Sequence, residues 1–142
     1  MNLTRDRYFI DTNILVYIFN SDKKNKSEIA GQILKNALLE GNGCISFQVI
    51  QEFCNVALKK FEVPLSLEDC KTFINRFLYP ICAVHPGIEL YNTALDIRKN
   101  ANYSYYDCLI LAAAYQSECK TLFSEDLQSG QIIAGVKIVN PF

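Results

Sequence analysis

Four acidic residues could act together chemically, although they are far apart in the chain: Asp11, Glu52, Asp107 and Asp126. Four carboxylates in one cleft of low dielectric repel one another, so either some of their pKa values rise or a cation neutralises them. Oxygen ligands without histidine or cysteine favour hard ions, which makes Mg²⁺ the expected cofactor and Mn²⁺ a possible substitute. An ion held in this way polarises a phosphate and lowers the pKa of bound water. The four acids therefore predict phosphoryl-transfer chemistry, provided that they converge.

Each acid also has an ordinary structural explanation, and the sequence leaves these alternatives open. Asp11 is a good helix N-cap, and Glu52 could lie on the solvated face of a helix. Asp107 stands three residues after Ser104 and before an apolar run, which is the pattern of a capping box. Asp126 could belong to a polar turn.

The apolar segments and turn signals that surround these acids predict alternating strands and helices. Strands are expected at 7–11, 44–46, 81–86, 121–124 and 136–139, and helices at 13–19, before Gly41, at 48–60, from Ser66 to before Pro80, at 87–99 and at 104–119. This alternation predicts one α/β domain over residues 1–142, with a mainly parallel central sheet of about five strands and helices on both faces.

The positions of the acids within these elements favour convergence. Asp11 and Asp126 follow predicted strands, and functional groups in parallel sheets gather beyond the carboxyl ends of the strands. Asp107 lies in the first turn of a helix that is apolar nearly all round. Glu52 lies at the edge of the apolar arc of its helix rather than opposite it.

Composition narrows the class of protein. The chain has 142 residues, half of them hydrophobic, and a formal net charge of −1, so no global charge points to nucleic acid or a membrane. Six cysteines without a CxxC pair predict reduced thiols, and no apolar run approaches the length of a membrane span, so a cytoplasmic protein is expected. There is no phosphate-binding G-x-x-x-x-G-K-[ST] loop, which disfavours nucleoside triphosphate hydrolysis. His85, the only histidine, is not expected to be a ligand.

Several segments resemble one family when taken in order: "FIDTNILVY", "QVIQEFCNV", "YSYYDCLILAAAY", "LFSEDLQSG" and "VKIVNPF". Together they resemble the PIN-domain ribonucleases, and most of all the VapC-type toxins of prokaryotic toxin–antitoxin pairs. The resemblance implies a three-layer α/β/α sandwich and a metal-dependent endoribonuclease. It also implies an RNA substrate, a cognate antitoxin and a homodimer.

The same resemblance assigns roles to residues. It matches the four acids to the positions that bind Mg²⁺ or Mn²⁺ and activate water, and it matches three polar residues to supporting positions: Thr12, Asn13 and Ser124. Asp11, Asp107 and Asp126 are expected to be the principal ligands, with Glu52 acting through water or on a second ion. Glu125 is expected to be exposed.

The residues that would bind RNA are less defined. Candidates for contacts to phosphates are the lysines at 23, 24, 26, 59 and 60 with Arg98 and Lys99, and candidates for stacking on bases are the tyrosines at 103, 105 and 106. For each of these residues, an ordinary surface or packing role is favoured over contact with RNA. The alternative functions are a non-catalytic RNA- or protein-binding module of the PIN type and, less favoured, a phosphoacceptor receiver domain.

Overall fold

A computed structural model describes residues 6–142, and a six-stranded sheet runs through its centre in the order β3-β2-β1-β4-β6-β5. The strands are β1 (Arg7–Ile10), β2 (Gly43–Ser46), β3 (Cys82–Val84), β4 (Cys119–Phe123), β5 (Ile132–Ile133) and β6 (Val136–Val139). All neighbours pair in parallel except β5 and β6, which are antiparallel. The five predicted strands are the five that pair in parallel, which confirms the expected mainly parallel sheet.

The strand that the sequence did not predict is β5. It has only two residues, and Ile132 is exposed, so no apolar run marks it. Ala134 and Gly135 connect it to β6 with φ values of 51° and 77°. Two consecutive positive φ values are typical of the tight turns that join antiparallel strands. Since Ala is an unusual residue at such a position, the turn lacks its common sequence signal.

Six α-helices surround the sheet, and their bounds differ from the predicted ones by only a few residues in most cases. They are α1 (Thr12–Tyr17), α2 (Lys24–Glu40), α3 (Phe47–Lys59), α4 (Leu67–Phe73), α5 (Ile88–Asn100) and α6 (Tyr105–Gln116). The prediction of one helix from Ser66 to Pro80 was wrong. There, α4 ends at Phe73, and the chain continues through a π-helical turn, Ile74–Leu78, and a 3₁₀ turn, Tyr79–Ile81. Pro80 lies near the start of the last turn, where a helix tolerates a residue without an N–H.

The order of the strands determines which helices share a face of the sheet. The chain moves in one direction from β1 to β2 to β3 and then returns to the opposite side of β1 at β4. Because parallel crossovers are right-handed, α1–α4 cover one face, and α5 and α6 cover the other. Contacts agree with this, since α1 packs against α2 and α3 while α5 packs against α6. The carboxyl ends of β1 and β4 thus form the topological switch point of the sheet.

The core lies between these layers. Phe9 and Ile10 of β1 are fully buried, and seven consecutive residues of α6, 108–114, are buried as well. All six cysteines are free thiols, as the sequence predicted. Within residues 6–142, no helix combines the length and the apolar composition that crossing a bilayer requires.

Candidate active site

The four acids line one cleft of about 580 Å³ at the carboxyl edge of the sheet. Four separate segments supply them: Asp11 directly follows β1, Glu52 lies on α3, Asp107 lies in the first turn of α6, and Asp126 follows β4. Each carboxylate thus comes from an element that ends at, or packs beside, the switch point. The parallel topology of the sheet brings these four segments together, although they are far apart in the sequence.

Asp11 has both of the roles that the sequence left open. It is the N-cap of α1, and its Oδ1 accepts a hydrogen bond of 2.8 Å from the backbone N–H of Thr12. Its other oxygen, Oδ2, accepts a hydrogen bond of 2.8 Å from the hydroxyl of Ser124, a fully buried residue just after β4. Only 8% of Asp11 is exposed. The carboxylate is therefore held between β1 and β4 by donors from both segments.

The environment of the cleft raises the pKa of Asp11 from 3.8 to about 6. Burial is the main cause, because it penalises the charged form, and the carboxylates of Glu52 and Asp126 raise the pKa further. The hydrogen bonds from Ser124 and Thr12 act in the opposite direction but are outweighed. The site thus carries an excess of negative charge that a bound cation would relieve.

Asn13 joins two of the acids. Its Nδ2 group lies 3.3 Å from Oδ2 of Asp11 and 3.0 Å from Oδ2 of Asp126, and it donates to both. Its Oδ1 accepts a hydrogen bond of 3.2 Å from the backbone N–H of Glu125. Since a carboxamide has donors on one side and an acceptor on the other, Asn13 fixes the loop after β4 relative to the start of α1.

Glu52 is oriented by two donors. The hydroxyl of Thr12 donates to Oε1 at 2.6 Å, and Nε2 of Gln48 donates to Oε2 at 3.2 Å. The same Gln48 nitrogen donates to the backbone carbonyl of Tyr106 at 3.1 Å, and Gln48 is only 5% exposed. Gln48 therefore links Glu52 on α3 to the first turn of α6, where Asp107 lies.

Gln48 is the positioning residue that the sequence analysis missed. The available signal was its spacing, because Gln48 precedes Glu52 by four residues and so shares its face of α3. What the sequence could not reveal is the carbonyl of Tyr106 on the other side, 58 residues away.

The capping box predicted at Asp107 is only half formed. The hydroxyl of Ser104 accepts a hydrogen bond of 3.2 Å from the backbone N–H of Asp107, so Ser104 caps α6. Within residues 6–142, the carboxylate of Asp107 makes no hydrogen bond in return. This side chain lines the cleft.

The expectation that Glu125 is exposed was wrong. Its carboxylate accepts a hydrogen bond from the hydroxyl of Tyr17 and pairs with the ammonium of Lys26, and its side chain is 23% exposed. Lys26 also lies over the rings of Tyr17 and Phe142, with its Nζ 4.8 Å and 5.3 Å from their centroids. These partners lower the pKa of the Glu125 carboxyl, and Lys26 contributes most. Glu125 thus anchors the loop after β4 to α1 and α2.

The other candidates for RNA contact fall into different surroundings. Lys24 and Lys26 belong to α2, and Lys60 lines the acidic cleft. Tyr103 is engaged through its hydroxyl, which donates to Gln131 at 2.6 Å, while Tyr106 is 65% exposed.

The side chains that line the cleft suit a hard divalent cation. They provide carboxylate, hydroxyl and carboxamide oxygens, and neither histidine nor cysteine is among them. The geometry is open, however. In the described part of the chain, no three acidic, histidine or cysteine side chains are gathered closely enough to hold an ion as they stand.

Comparison with known proteins identifies the family. Residues 8–131 match the PIN domain, and the matched region contains all four acids. The chain belongs to the PIN domain family. No sequence in a set of curated proteins matches this PIN domain.

Solved structures share the fold of this PIN domain. It is similar to a toxin–antitoxin complex from Klebsiella pneumoniae, with a TM-score of 0.67 at 20% identity over 95% of this chain and 98% of that one. It is also similar to VapBC2 from Rickettsia felis bound to a promoter DNA fragment, with a TM-score of 0.59 at 19% identity over 92% and 96% of the two chains. A third is VapC20 of Mycobacterium tuberculosis, a toxin that cleaves the sarcin–ricin loop, with a TM-score of 0.59 at 15% identity over 84% and 89%. At these identities the likeness is one of fold.

Proposed function

We propose that this PIN domain is a metal-dependent endoribonuclease and the toxin of a type II toxin–antitoxin pair, with Mg²⁺, or Mn²⁺, as its cofactor. The observation that carries the proposal is the meeting of four carboxylates from four segments along one cleft at the switch point of the sheet. The similar folds of VapC20, a toxin that cleaves RNA, and of two toxin–antitoxin complexes support the choice of substrate and partner.

The proposed site uses Asp11, Asp107 and Asp126 as the principal ligands and Glu52 as a ligand through water. When held by these residues, the ion would supply charge stabilisation to the scissile phosphodiester and a water of lowered pKa. The chain contributes the orientation of the ligands. Ser124 and Asn13 hold Asp11, and Asn13 also holds Asp126.

The carboxylate of Glu52, on the second wall of the cleft, is also oriented by hydrogen bonds. Thr12 and Gln48 occupy one oxygen each of Glu52, and each carboxylate oxygen has a second lone-pair direction, so both oxygens remain able to accept a further hydrogen bond. Supporting hydrogen bonds of this kind fix ligands in productive orientations.

The proposal includes a cognate antitoxin that covers the cleft or inserts a peptide into it, and a homodimer in the cytoplasm. The two toxin–antitoxin complexes of similar fold support the antitoxin. The six free thiols agree with a reducing compartment.

A second candidate is a non-catalytic RNA- or protein-binding module of the PIN type. One observation favours it, namely that no three potential ligands of the described chain are gathered closely enough to form a ready-made metal site. The retention of all four acids around one cleft favours the enzyme.

One assay separates the two candidates. Purified protein is incubated with total cellular RNA in Mg²⁺, in Mn²⁺ and in EDTA, and cleavage is followed by mapping of the new RNA ends. We expect metal-dependent cleavage that is abolished by Asp11→Asn and by Asp107→Asn. RNA left intact in both metals would overturn the proposed activity, as would cleavage that survives both substitutions.

The capping role of Asp107 needs its own control, and α4 offers a matched one. Asp69 occupies the equivalent position, because its backbone N–H donates to the hydroxyl of Ser66 at 3.0 Å. Asp69→Asn changes the same position of a capped helix outside the cleft. Asp107→Asn should abolish cleavage with no greater loss of stability than Asp69→Asn causes.

A further inference from the structure

The acidic cleft has two chemically different ends. Helices α1 and α3 pack against each other, and residues from both line it. On α3 the lining residues are Glu52, Asn55, Val56 and, just beyond the helix, Lys60. Lys60 is eight residues beyond Glu52, about 12 Å along the helix axis at about 1.5 Å per residue. One end of the cleft is therefore anionic, and the other carries an ammonium group.

Lys60 is the sole cation among the described residues that line this cleft. Within residues 6–142 it forms no ion pair, unlike Lys26, which pairs with Glu125. A lysine at the end of a helix ordinarily interacts with the terminal carbonyls and with solvent. Lys60 differs from its neighbour Lys59 in that it lines the cleft. Because Lys59 and Lys60 are adjacent and both exposed, substituting each in turn distinguishes a specific role of Lys60 at the cleft from a general effect of positive charge.

Two carboxamides also line the cleft. Asn20 lines a neighbouring hollow together with Lys60 as well, whereas Asn55 lies between Glu52 and Lys60 along α3. The Oδ1 of Asn20 accepts the backbone N–H of Asp22 at 3.1 Å, and its NH₂ group is a donor on the other side of the carboxamide. An ammonium group with carboxamide donors is a suitable environment for the non-bridging oxygens of a phosphodiester.

We propose that Lys60, with Asn20, forms a subsite that binds a phosphate of the RNA strand flanking the cleavage position. This inference rests on the proposed ribonuclease function. It also gives the path of the bound RNA, which runs along the groove between α1 and α3 from the four acids to Lys60. The scissile phosphate lies at the acidic end with the metal. A flanking phosphate has no metal to neutralise it and is held by Lys60.

The subsite has a boundary. A second hollow of about 300 Å³ continues from the cleft and shares Lys60 and Asn20 with it. Its further lining includes Asp22 and Glu62, whose carboxylates repel phosphate. The favourable contact with the backbone therefore ends at Lys60, so the substitution of this one lysine should remove one phosphate contact.

Binding of a short single-stranded RNA tests the subsite. The RNA carries a fluorophore, and its affinity in Mg²⁺ is measured by anisotropy with Asp107→Asn as the background, which keeps the RNA intact. We expect Lys60→Gln to weaken binding roughly fivefold at about 0.1 M salt, because one single-strand phosphate contact contributes a slope of about −0.7 in log K against log [salt]. The salt slope should become shallower by about 0.7. Lys60→Arg should keep both values.

Lys59→Gln in the same background is the matched control and should leave the affinity and the salt slope unchanged. If Lys59→Gln and Lys60→Gln weaken binding equally, the lysines act only through general charge, and the subsite is refuted. Equal affinities for Lys60→Gln and the background refute it as well. Cleavage of the same RNA by protein with native Asp107 is measured in parallel, so a failed nuclease and a failed subsite give different results.

Discussion

The hydroxyl of Thr12 donates a hydrogen bond of 2.6 Å to the carboxylate of Glu52, although 40 residues separate them in the chain. Thr12 is the first residue of α1, and its backbone N–H donates to Asp11. One residue therefore orients two of the four acids, Asp11 through its main chain and Glu52 through its side chain. This arrangement permits a substitution that affects one of them alone.

Thr12→Val should reduce cleavage roughly 10-fold to 100-fold, the usual range for the loss of a partner that orients a ligand. Valine has nearly the same shape and keeps the backbone N–H for Asp11, but it removes the donor to Glu52. The free energy of unfolding should fall by about 1 kcal/mol, as is usual for one hydrogen bond. Cleavage rates and urea unfolding measure the two effects. Thr72→Val, on the exposed surface of α4, is the control and should change neither. Full activity of Thr12→Val would show that Glu52 needs no orientation by this hydroxyl.

Gln48→Leu should lower both stability and activity. Leucine removes the donor shared by Glu52 and the carbonyl of Tyr106, and that carbonyl keeps only its partner within α6. We expect a loss of about 1–3 kcal/mol in unfolding free energy, because one of the two lost hydrogen bonds goes to a carboxylate. Cleavage should fall further than the change in stability explains, because α3 and α6 carry Glu52 and Asp107. Chemical denaturation and cleavage kinetics of the folded variant provide the measurements.

Gln51→Leu, on the exposed side of the same helix, is the matched control. It makes the same chemical change without touching the cleft. If the two variants have equal activity, Gln48 stabilises the packing of α3 and α6 but does not position the acids.

The raised pKa of Asp11 predicts how stability depends on pH in metal-free protein. Because the folded-state pKa is about 6 and the unfolded-state value is 3.8, the folded protein holds the extra proton between these pH values. The free energy of unfolding therefore decreases as the pH rises from about 4 to about 6, and the loss is complete above that window. A shift of this size corresponds to about 3 kcal/mol at most.

Urea unfolding in EDTA across pH 4–7 measures this dependence, with Asp11→Asn as the reference. The native protein should lose stability relative to Asp11→Asn as the pH rises. Subtracting the variant also removes the opposite contribution of groups such as Glu125, whose pKa is lowered. Mg²⁺ should restore more stability at pH 7 than at pH 5, because binding to the folded state alone stabilises it. A difference that is constant with pH would contradict the raised pKa.

Much of the fold could be predicted from local patterns. Apolar runs bounded by turn residues mark the five parallel strands, and their alternation with helices determines the class of sheet. The two-residue β5 and the end of α4 at Phe73 could not be predicted. A strand this short has no periodicity, and nothing in the sequence before Pro80 indicates a change from α-helical to π-helical hydrogen bonding.

At the site, the sequence alone nominated Asp11, Glu52, Asp107 and Asp126 as candidates, because residue type and position within an element are local properties. It also offered Asp11 and Ser104 as helix N-caps, and the structure confirms both. These features depend on a few neighbouring residues and on the backbone conformation that they favour.

The tertiary structure alone decided which side chains meet. It paired Glu125 with Lys26, although Glu125 was expected to be exposed, and it joined Gln48 to the carbonyl of Tyr106. It also placed Lys60, but not Lys59, along the cleft. Such contacts join segments far apart in the chain, so they depend on the order of the strands and on the packing of helices across the switch point. No local pattern encodes them, because the same helix could present the same residues to a different neighbour.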